Sequence, residues 1–179
     1  MPYSKQFSAH GIIEVGHYTG TKGGPYTETS WGLTTQDGAR LTGTVNTVKQ
    51  RSGQGTGAID SFISEADVQL VVGLASATLD NLRRLLGLPT SALEGDLEDQ
   101  VEPTEEILTV RGDQLGTEVL SIYVRTMGPI GPRTYRFPRA KVASLPELNM
   151  NRTAYTEPTA TFDVYEVNGE LYWVEDAIA

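Results

Sequence analysis

Helix-period hydrophobicity occurs once in this chain, and that scarcity constrains the fold more than any other feature. Ser76 to Gly87 places Leu79, Leu82, Leu85 and Leu86 at helical spacing. A hydroxyl start at Ser76 or Thr78, Arg83 and Arg84 toward the negative C-terminus, and Gly87 as a left-handed stop complete one amphipathic helix. Elsewhere apolar residues alternate with polar ones or form short runs between glycine, proline and asparagine, the mark of strands. With no strand–helix–strand alternation, the class is mostly β: a sandwich or barrel of about seven or eight strands with one flanking α-helix.

Residues 1–32 are rich in glycine and carry scattered aromatics, with apolar content only at Ile12, Ile13 and Val15. They read as an N-terminal arm with one short strand near Gly11 to Val15, ahead of a β-sandwich domain over 33–179. Leu41, Gly43, Val45 and Thr47 alternate with Thr42, Thr44 and Asn46, as in a half-exposed strand. Lys49 to Gly57 is polar and glycine-rich and reads as a long loop. A strand over Asp67 to Gly73 leads into the helix, and Glu94 to Glu106, with seven acids and no base, reads as a solvated linker.

Strands follow at Ile107 to Val110 and Glu118 to Thr126. In the second, Leu120, Ile122 and Val124 point inward and Ser121, Tyr123 and Arg125 outward. A turn at Gly128 to Pro132 returns the chain through Thr134 to Val142, where Pro138 demands an edge or a bulge. Asn168-Gly169 between alternating runs is the type I′ hairpin signature, and counting outward pairs Val164 with Trp173 and Tyr165 with Tyr172.

Composition excludes several function classes. The 179 residues carry a formal charge of −9, which disfavours free duplex binding through phosphate neutralisation. Zero cysteines exclude disulfides, a thiolate nucleophile and cysteine-ligated metal. Apolar runs fall short of a membrane span, and Met1 to Gly11 has no apolar signal core, so a soluble, unexported chain is expected. Leu, Ile, Val and Phe make up about a quarter of the residues, enough for a thin core.

Candidate chemistry is sparse. Gly53-x-Gly55-x-x-Ala58 matches the letters of a dinucleotide fingerprint, yet no helical stripe follows it, so a flexible loop is the better reading. His10 and His17 sit in the glycine-rich arm without a ligand or catalytic pattern and read as surface residues. The acidic run lacks the glycine-centred spacing of a calcium loop, and Asn151-Arg152-Thr153 matches a glycosylation sequon by chance in an unexported chain. No catalytic residue, cofactor site or metal site is assigned, and no enzymatic activity is expected. Charge is split instead: Arg125, Arg133, Arg136, Arg139 and Lys141 occupy an acid-free span, opposite the base-free acidic run. Such patches either neutralise each other within one protomer or suit a head-to-tail contact that closes rings or builds filaments.

Taken in order, strand Thr42 to Val48, polar loop Lys49 to Gly57 into Ala58-Ile59-Asp60, strand Val68 to Leu74, helix Thr78 to Leu86, the run Arg136 to Val142 and the closing Thr161 to Tyr165 resemble the major tail tube protein of long-tailed bacteriophages, the non-contractile type in particular. The resemblance implies a sandwich or barrel with a flanking helix, six copies to a ring, and rings stacked into a hollow tube that conducts the genome. It places the inter-ring contact on the stretch holding Lys49, Arg51, Gln54, Ile59 and Asp60, and the split charge adds Arg133, Arg136, Arg139 and Lys141 as a candidate basic contact patch. Implied partners are further copies of the chain and other tail proteins (tape measure, tail terminator, distal tail). Double-stranded DNA would be only transient cargo repelled by an acidic lumen, with no membrane partner. The implied location is the virion tail after synthesis in the host cytoplasm. Two other readings remain: a tail completion or distal tail protein forming one ring, and a β-sandwich module binding carbohydrate or a receptor through Tyr18, Tyr26, Trp31 and Trp173.

Overall fold

The computed structural model describes residues 14–51, 58–75, 78–94, 107–127, 131–147 and 158–176. The strands are β1 (Glu14–Thr19), β2 (Thr27–Arg51), β3 (Ala58–Leu74), β4 (Leu93–Glu94), β5 (Ile107–Leu108), β6 (Leu120–Met127), β7 (Pro132–Glu147), β8 (Thr159–Val164) and β9 (Trp173–Asp176), with helix α1 (Leu79–Leu85) between β3 and β4. The main sheet runs β6-β1-β2-β3-β8-β7-β9, and β6 also pairs with β7, so six strands return on themselves in a ring while β9 adds to β7. The pairings within the sheet are antiparallel. A mostly β fold with a single helix among the described residues is what the alternating pattern predicts.

Strand alternation explains the core. Leu70, Val72 and Leu74 of β3, Leu120, Ile122 and Val124 of β6, and Ala160, Phe162 and Val164 of β8 occupy every second position and meet inside the ring with Val15, Trp31 and Phe137. β7 breaks the two-residue period, because Phe137 and Ala140 both face inward. The ladder accounts for this: Ile122 opposes Phe137 while Leu120 opposes Ala140, so three steps on β7 match two on β6. Pro138 sits inside that bulge, where its missing N–H costs no ladder bond. At the same bulge β7 changes neighbours, and Ala140 pairs with Val164 of β8 as well as with Leu120.

Helix α1 is capped as its sequence predicts, with the Thr78 hydroxyl accepting from the Asn81 amide at 3.2 Å and Gly87 taking the left-handed conformation (φ 62) beyond the last turn. Leu85 enters the core, but Arg83 is as buried as the leucines. Its guanidinium donates to the Leu88 carbonyl at 2.7 Å, to Glu118 at 2.9 Å and to Asp80 at 3.1 Å.

Four expectations are corrected. Residues 14–32 are not an arm: β1 lies between β2 and β6, β2 runs unbroken through position 32, and Val15, Tyr18 and Trp31 are buried. Packing against strands more than ninety positions away supplies the burial that this segment lacks by itself. The first thirteen residues lie outside the described ones. Second, Lys49 to Gly57 is not a loop throughout, because strand pairing continues to Arg51 and resumes at Ala58. Third, the two strands flanking Asn168-Gly169 do not form an extended hairpin. Both turn residues have positive φ, and Val167 and Glu170 exchange backbone hydrogen bonds, as a type I′ turn requires. Beyond that bridge the strands part, because Val164 already has Val68 on one edge and Ala140 on the other, and Trp173 pairs with Arg136. Fourth, Tyr123 does not face solvent. It is 1 % exposed, lying over Gly16, where an added Cβ would sit 2.6 Å from the Tyr123 ring and 2.2 Å from the Thr29 carbonyl oxygen. Glycine at position 16 is what lets β1, β2 and the tyrosine come together.

Candidate assembly surface

Two features stand out from the ring: a long two-stranded ribbon, and a belt of ion pairs where β1, β2, β6, β7 and β9 meet. The ribbon is the far part of the β2–β3 pair. β1 leaves β2 at Leu33, and β8 joins β3 only from Val68 onward, so from Thr44–Asp67 to Arg51–Ala58 each strand's ladder partner among the described residues is the other. That is eight residues beyond Gly43, roughly 26 Å of extended chain. Residues 41–46 are all exposed, including Leu41 at 39 % and Val45 at 55 %. Alternation puts residues of both faces among these six, so over positions 41–46 both faces of β2 are exposed.

Four of the five sequence-predicted inter-ring residues, Lys49, Arg51, Ile59 and Asp60, fall on this ribbon. Lys49 is in register with Ser61, Gln50 with Asp60 and Arg51 with Ala58, and Ile59 lies between the last two rungs of β3. Gln54, with Gly53 and Gly55 of the glycine fingerprint, is outside the described residues. Ala58 opens a strand and not a helix, so the fingerprint lacks the helix N-terminus that would receive a pyrophosphate. At the ribbon's base, Thr42, Thr44, Asp67, Gln69, Asp163 and Tyr165 border an open groove of about 780 Å³.

The predicted basic patch is mostly spoken for. Arg136 is 5 % exposed, donates to Glu175 at 2.8 Å and Glu28 at 2.6 Å, and lies 3.7 Å from the centroid of the Tyr26 ring. Arg125 joins Glu28 and also Glu14, at 2.8 Å for the latter. Arg133 makes a two-pronged pair with Asp176 at 2.6 and 2.8 Å. Neutralisation within the protomer thus holds for these three, although the partners are Glu14, Glu28, Glu175 and Asp176 and not the acidic run, most of which lies outside the described residues. Arg139 is exposed and lies over the Tyr165 ring at 5.8 Å, and Lys141 is half-buried in register with Asp163.

Electrostatics in the belt follow from this geometry. Burial would raise Glu28, but hydrogen bonds from Arg136 and Arg125 outweigh it and hold the carboxyl below its ordinary range. Glu175 is lowered in the same way, with burial opposed by Arg136, Tyr26 and Trp173. Burial pushes the Tyr18 hydroxyl well up, and burial followed by Glu14 does so for Tyr123, so both stay neutral donors. The Tyr18 hydroxyl and Arg136 Nη1 are buried without a hydrogen-bond partner.

His17 is not a surface residue either. It is half-buried between Trp31 and α1, accepting from Trp31 Nε1 at 3.1 Å; His10 is outside the described residues. The aromatics proposed for sugar stacking are also reassigned: Tyr18 and Trp31 are each 3 % exposed, and Tyr18 meets Tyr26 and Trp173 edge-on. Sequence reasoning missed Glu14, Glu28 and Glu175 as counter-ions, because pairing across 97 to 111 positions, as in Arg125 with Glu28 and Glu14, leaves no local spacing signal.

Among the described residues no group of three or more histidines and acids is placed to hold a metal ion, and no helix is long and apolar enough to cross a membrane. No protein-family model matches the chain, and no curated protein matches it. Among solved structures, it is similar to a chain of the cryo-EM structure of the anti-feeding prophage baseplate, six-fold symmetrised, with a TM-score of 0.41 and 7 % identity over 92 % of this chain and 91 % of that one. A likeness of that degree assigns neither a family nor a function.

Proposed function

We propose that this chain is a structural subunit of a bacteriophage tail, which acts by assembling into hexameric rings stacked as the tail tube and performs no catalysis. The observation that carries this reading is the β2–β3 ribbon. A two-stranded ribbon is marginal by itself, and Val45 is exposed on it, with Leu41 exposed just before its base. Contact with another subunit would cover those side chains and give the open ribbon edges backbone partners. The same ribbon carries the stretch Lys49 to Asp60 that the sequence resemblance assigns to inter-ring contact. Its companion partners would be the tape measure, terminator and distal tail proteins, with the genome passing through an acidic lumen.

The test is a chain in which Asn46–Glu65 is replaced by Asn-Gly, closing the ribbon at the Val45–Ala66 rung. Far-UV circular dichroism and a cooperative thermal transition like the parent's check that the ring still folds. Negative-stain electron microscopy and light scattering then read assembly. The parent is expected to form stacked rings or tubes, and the shortened chain to stop at monomers or single rings. Tubes growing normally from the shortened chain would refute the ribbon's role. A parent that forms rings but never stacks them would replace the tube with a terminal ring, and a strictly monomeric parent would overturn the assembly reading altogether.

A further inference from the structure

We infer that His17 is an acid-sensitive latch that holds helix α1 against the ring and releases it when the imidazole takes up a proton. This inference stands apart from the assembly reading, since it concerns only contacts inside one protomer. One N–H donor and one cation meet the ring: Trp31 Nε1 donates to His17 Nδ1 at 3.1 Å, and Arg84 Nη1 lies 3.1 Å from Nδ1 and 3.3 Å from Nε2. Trp31 donates to Nδ1, so that nitrogen carries no hydrogen and the ring is assigned as the neutral imidazole with its proton on Nε2, while the Arg84 guanidinium, almost equidistant from both ring nitrogens, lies against the ring as a cation. An imidazolium would aim its Nδ1–H at the Trp31 N–H and set a second positive charge against a guanidinium at contact distance.

The charged groups facing His17 decide the sign. Helix α1 presents Arg84, with Arg83 behind it, and also Asp80; β2 presents Trp31, and on β6 the register neighbour is the apolar Ile122. Asp80 is the one group that favours the imidazolium, but both of its carboxylate oxygens are engaged, one by Arg83 at 3.1 Å and the other by Arg84 at 3.0 Å. Burial first and Arg84 second lower the imidazole's proton affinity. Because the folded form binds the proton less well than the open form, the latch is fully closed above the ordinary histidine range and weakens as pH falls through it.

The latch matters to the helix because the same side chains bind α1 to the sheet. Trp31 is 3 % exposed, its carbonyl accepts from Asn81 Nδ2 at 2.6 Å, and its indole N–H is the group His17 holds. Arg84 is fixed at its other end by Asp80, so His17, Trp31, Asn81 and Arg84 form one connected contact between β1, β2 and α1. Repulsion at His17 pushes directly on Arg84 and leaves the buried indole N–H unpaired, both of which favour separation of the helix from the ring.

The experiment uses the full chain. Imidazole resonances are followed by NMR from about pH 8 to 4.5, a range spanning the ordinary histidine transition, the two histidines being told apart with His10→Gln. Amide exchange of residues 79–85 is measured over the same range and corrected for intrinsic rates. The expected result is a His17 ring in the Nε2–H tautomer near neutral pH that titrates below 6.5, the ordinary value. Opening of α1 should rise by up to about tenfold per pH unit as His17 takes up its proton. His17→Gln keeps an acceptor and removes the titration, so its α1 exchange should stay flat from about pH 7 to 5. A His17 that titrates at or above 6.5, or α1 protection that is unchanged through its titration, would overturn the inference. So would a glutamine variant that loses α1 protection on acidification as the parent does. Should that variant fail to fold, the parent's own titration and exchange decide the matter.

Discussion

Arg136→Met removes the charge at the centre of the ion-pair belt while keeping a flexible apolar side chain over Tyr26. Two charge-assisted bonds are lost, to Glu28 at 2.6 Å and to Glu175 at 2.8 Å. Net values of about 1.5–3 kcal/mol each set the upper bound. The two losses are unequal. Glu175 is 35 % exposed at its side chain and keeps Tyr26 and Trp173 as donors, so water and these neighbours make up most of what it loses. Glu28 is 23 % exposed and is left with Arg125 alone. Relief also comes from deleting Arg136 Nη1, which is buried without a partner. The balance is a loss of roughly 2–3 kcal/mol, or about 4–12 °C in Tm for a chain of this size. Urea denaturation read by tryptophan fluorescence measures it, since Trp31 lies in the core and Trp173 beside Glu175. A second substitution, Glu28→Gln, should cost less in the methionine background than in the parent, by about 1 kcal/mol or more. A single-variant loss under about 0.5 kcal/mol, the scale of an ordinary surface change, or additivity of the pair, would show that the belt is only a solvated surface and refute this reasoning.

Other perturbations have equally definite outcomes. Gly16→Ala should cost about 3 kcal/mol or more, because the new Cβ meets a backbone carbonyl at 2.2 Å and not a movable side chain; thermal denaturation reads it, and an unchanged Tm would contradict the close approach. Thr78→Ala should lose about 1 kcal/mol through the missing cap, and Thr78→Ser almost nothing, with faster amide exchange at Asn81 as the local signature. Glu28, Asp80 and Glu175 are all held below their ordinary carboxylate range. Their contribution is therefore fully present above about pH 5 and is lost as pH falls below about 4. Stability followed across that window should show the decline in the parent, and a shallower one in Arg136→Met.

Legibility from sequence tracked the range of the interaction. The cap at Thr78, the stop at Gly87, the turn at Asn168-Gly169 and the inward trio Leu120, Ile122 and Val124 are decided within a few residues, and each appears where its pattern places it. Pro138 signals an edge or a bulge, since a missing donor is a local fact, and of the two the structure has the bulge, β7 being paired with β6, β8 and β9. What failed was partner choice. The alternation around Asn168-Gly169 is compatible with an extended hairpin, but the ladder edges of Val164 are taken by strands whose own sequences say nothing about it. Segment 14–32 looked too polar to pack because its burial comes from β6, β7 and β9. Tyr123 is legible as outward-pointing, and it does point away from the ring interior; its burial arises from a neighbouring glycine on another strand. Lys49, Arg51, Ile59 and Asp60 read as loop from sequence and lie on β2 and β3, because a polar, glycine-rich stretch lacks the apolar alternation by which strands are recognised.

The seam between β1 and β6 has a kinetic consequence. β2 meets β3, and β6 meets β7, through connections short enough for each pair to form early as a hairpin. Closing the ring needs residues 14–17 to find residues 122–125, and the Tyr123–Glu14 bond there spans 109 positions. Such a contact adds little to the final register but must wait for nearly everything between its halves to be in place. Until it forms, β1 has no partner on one side and β6 shows a bare edge, which is the interval in which two chains could exchange first strands. The β1–β6 seam and the β3–β8 pairing, whose rungs join residues as far apart as Val68 and Val164, are thus the long-range closures on which the folding rate is expected to depend.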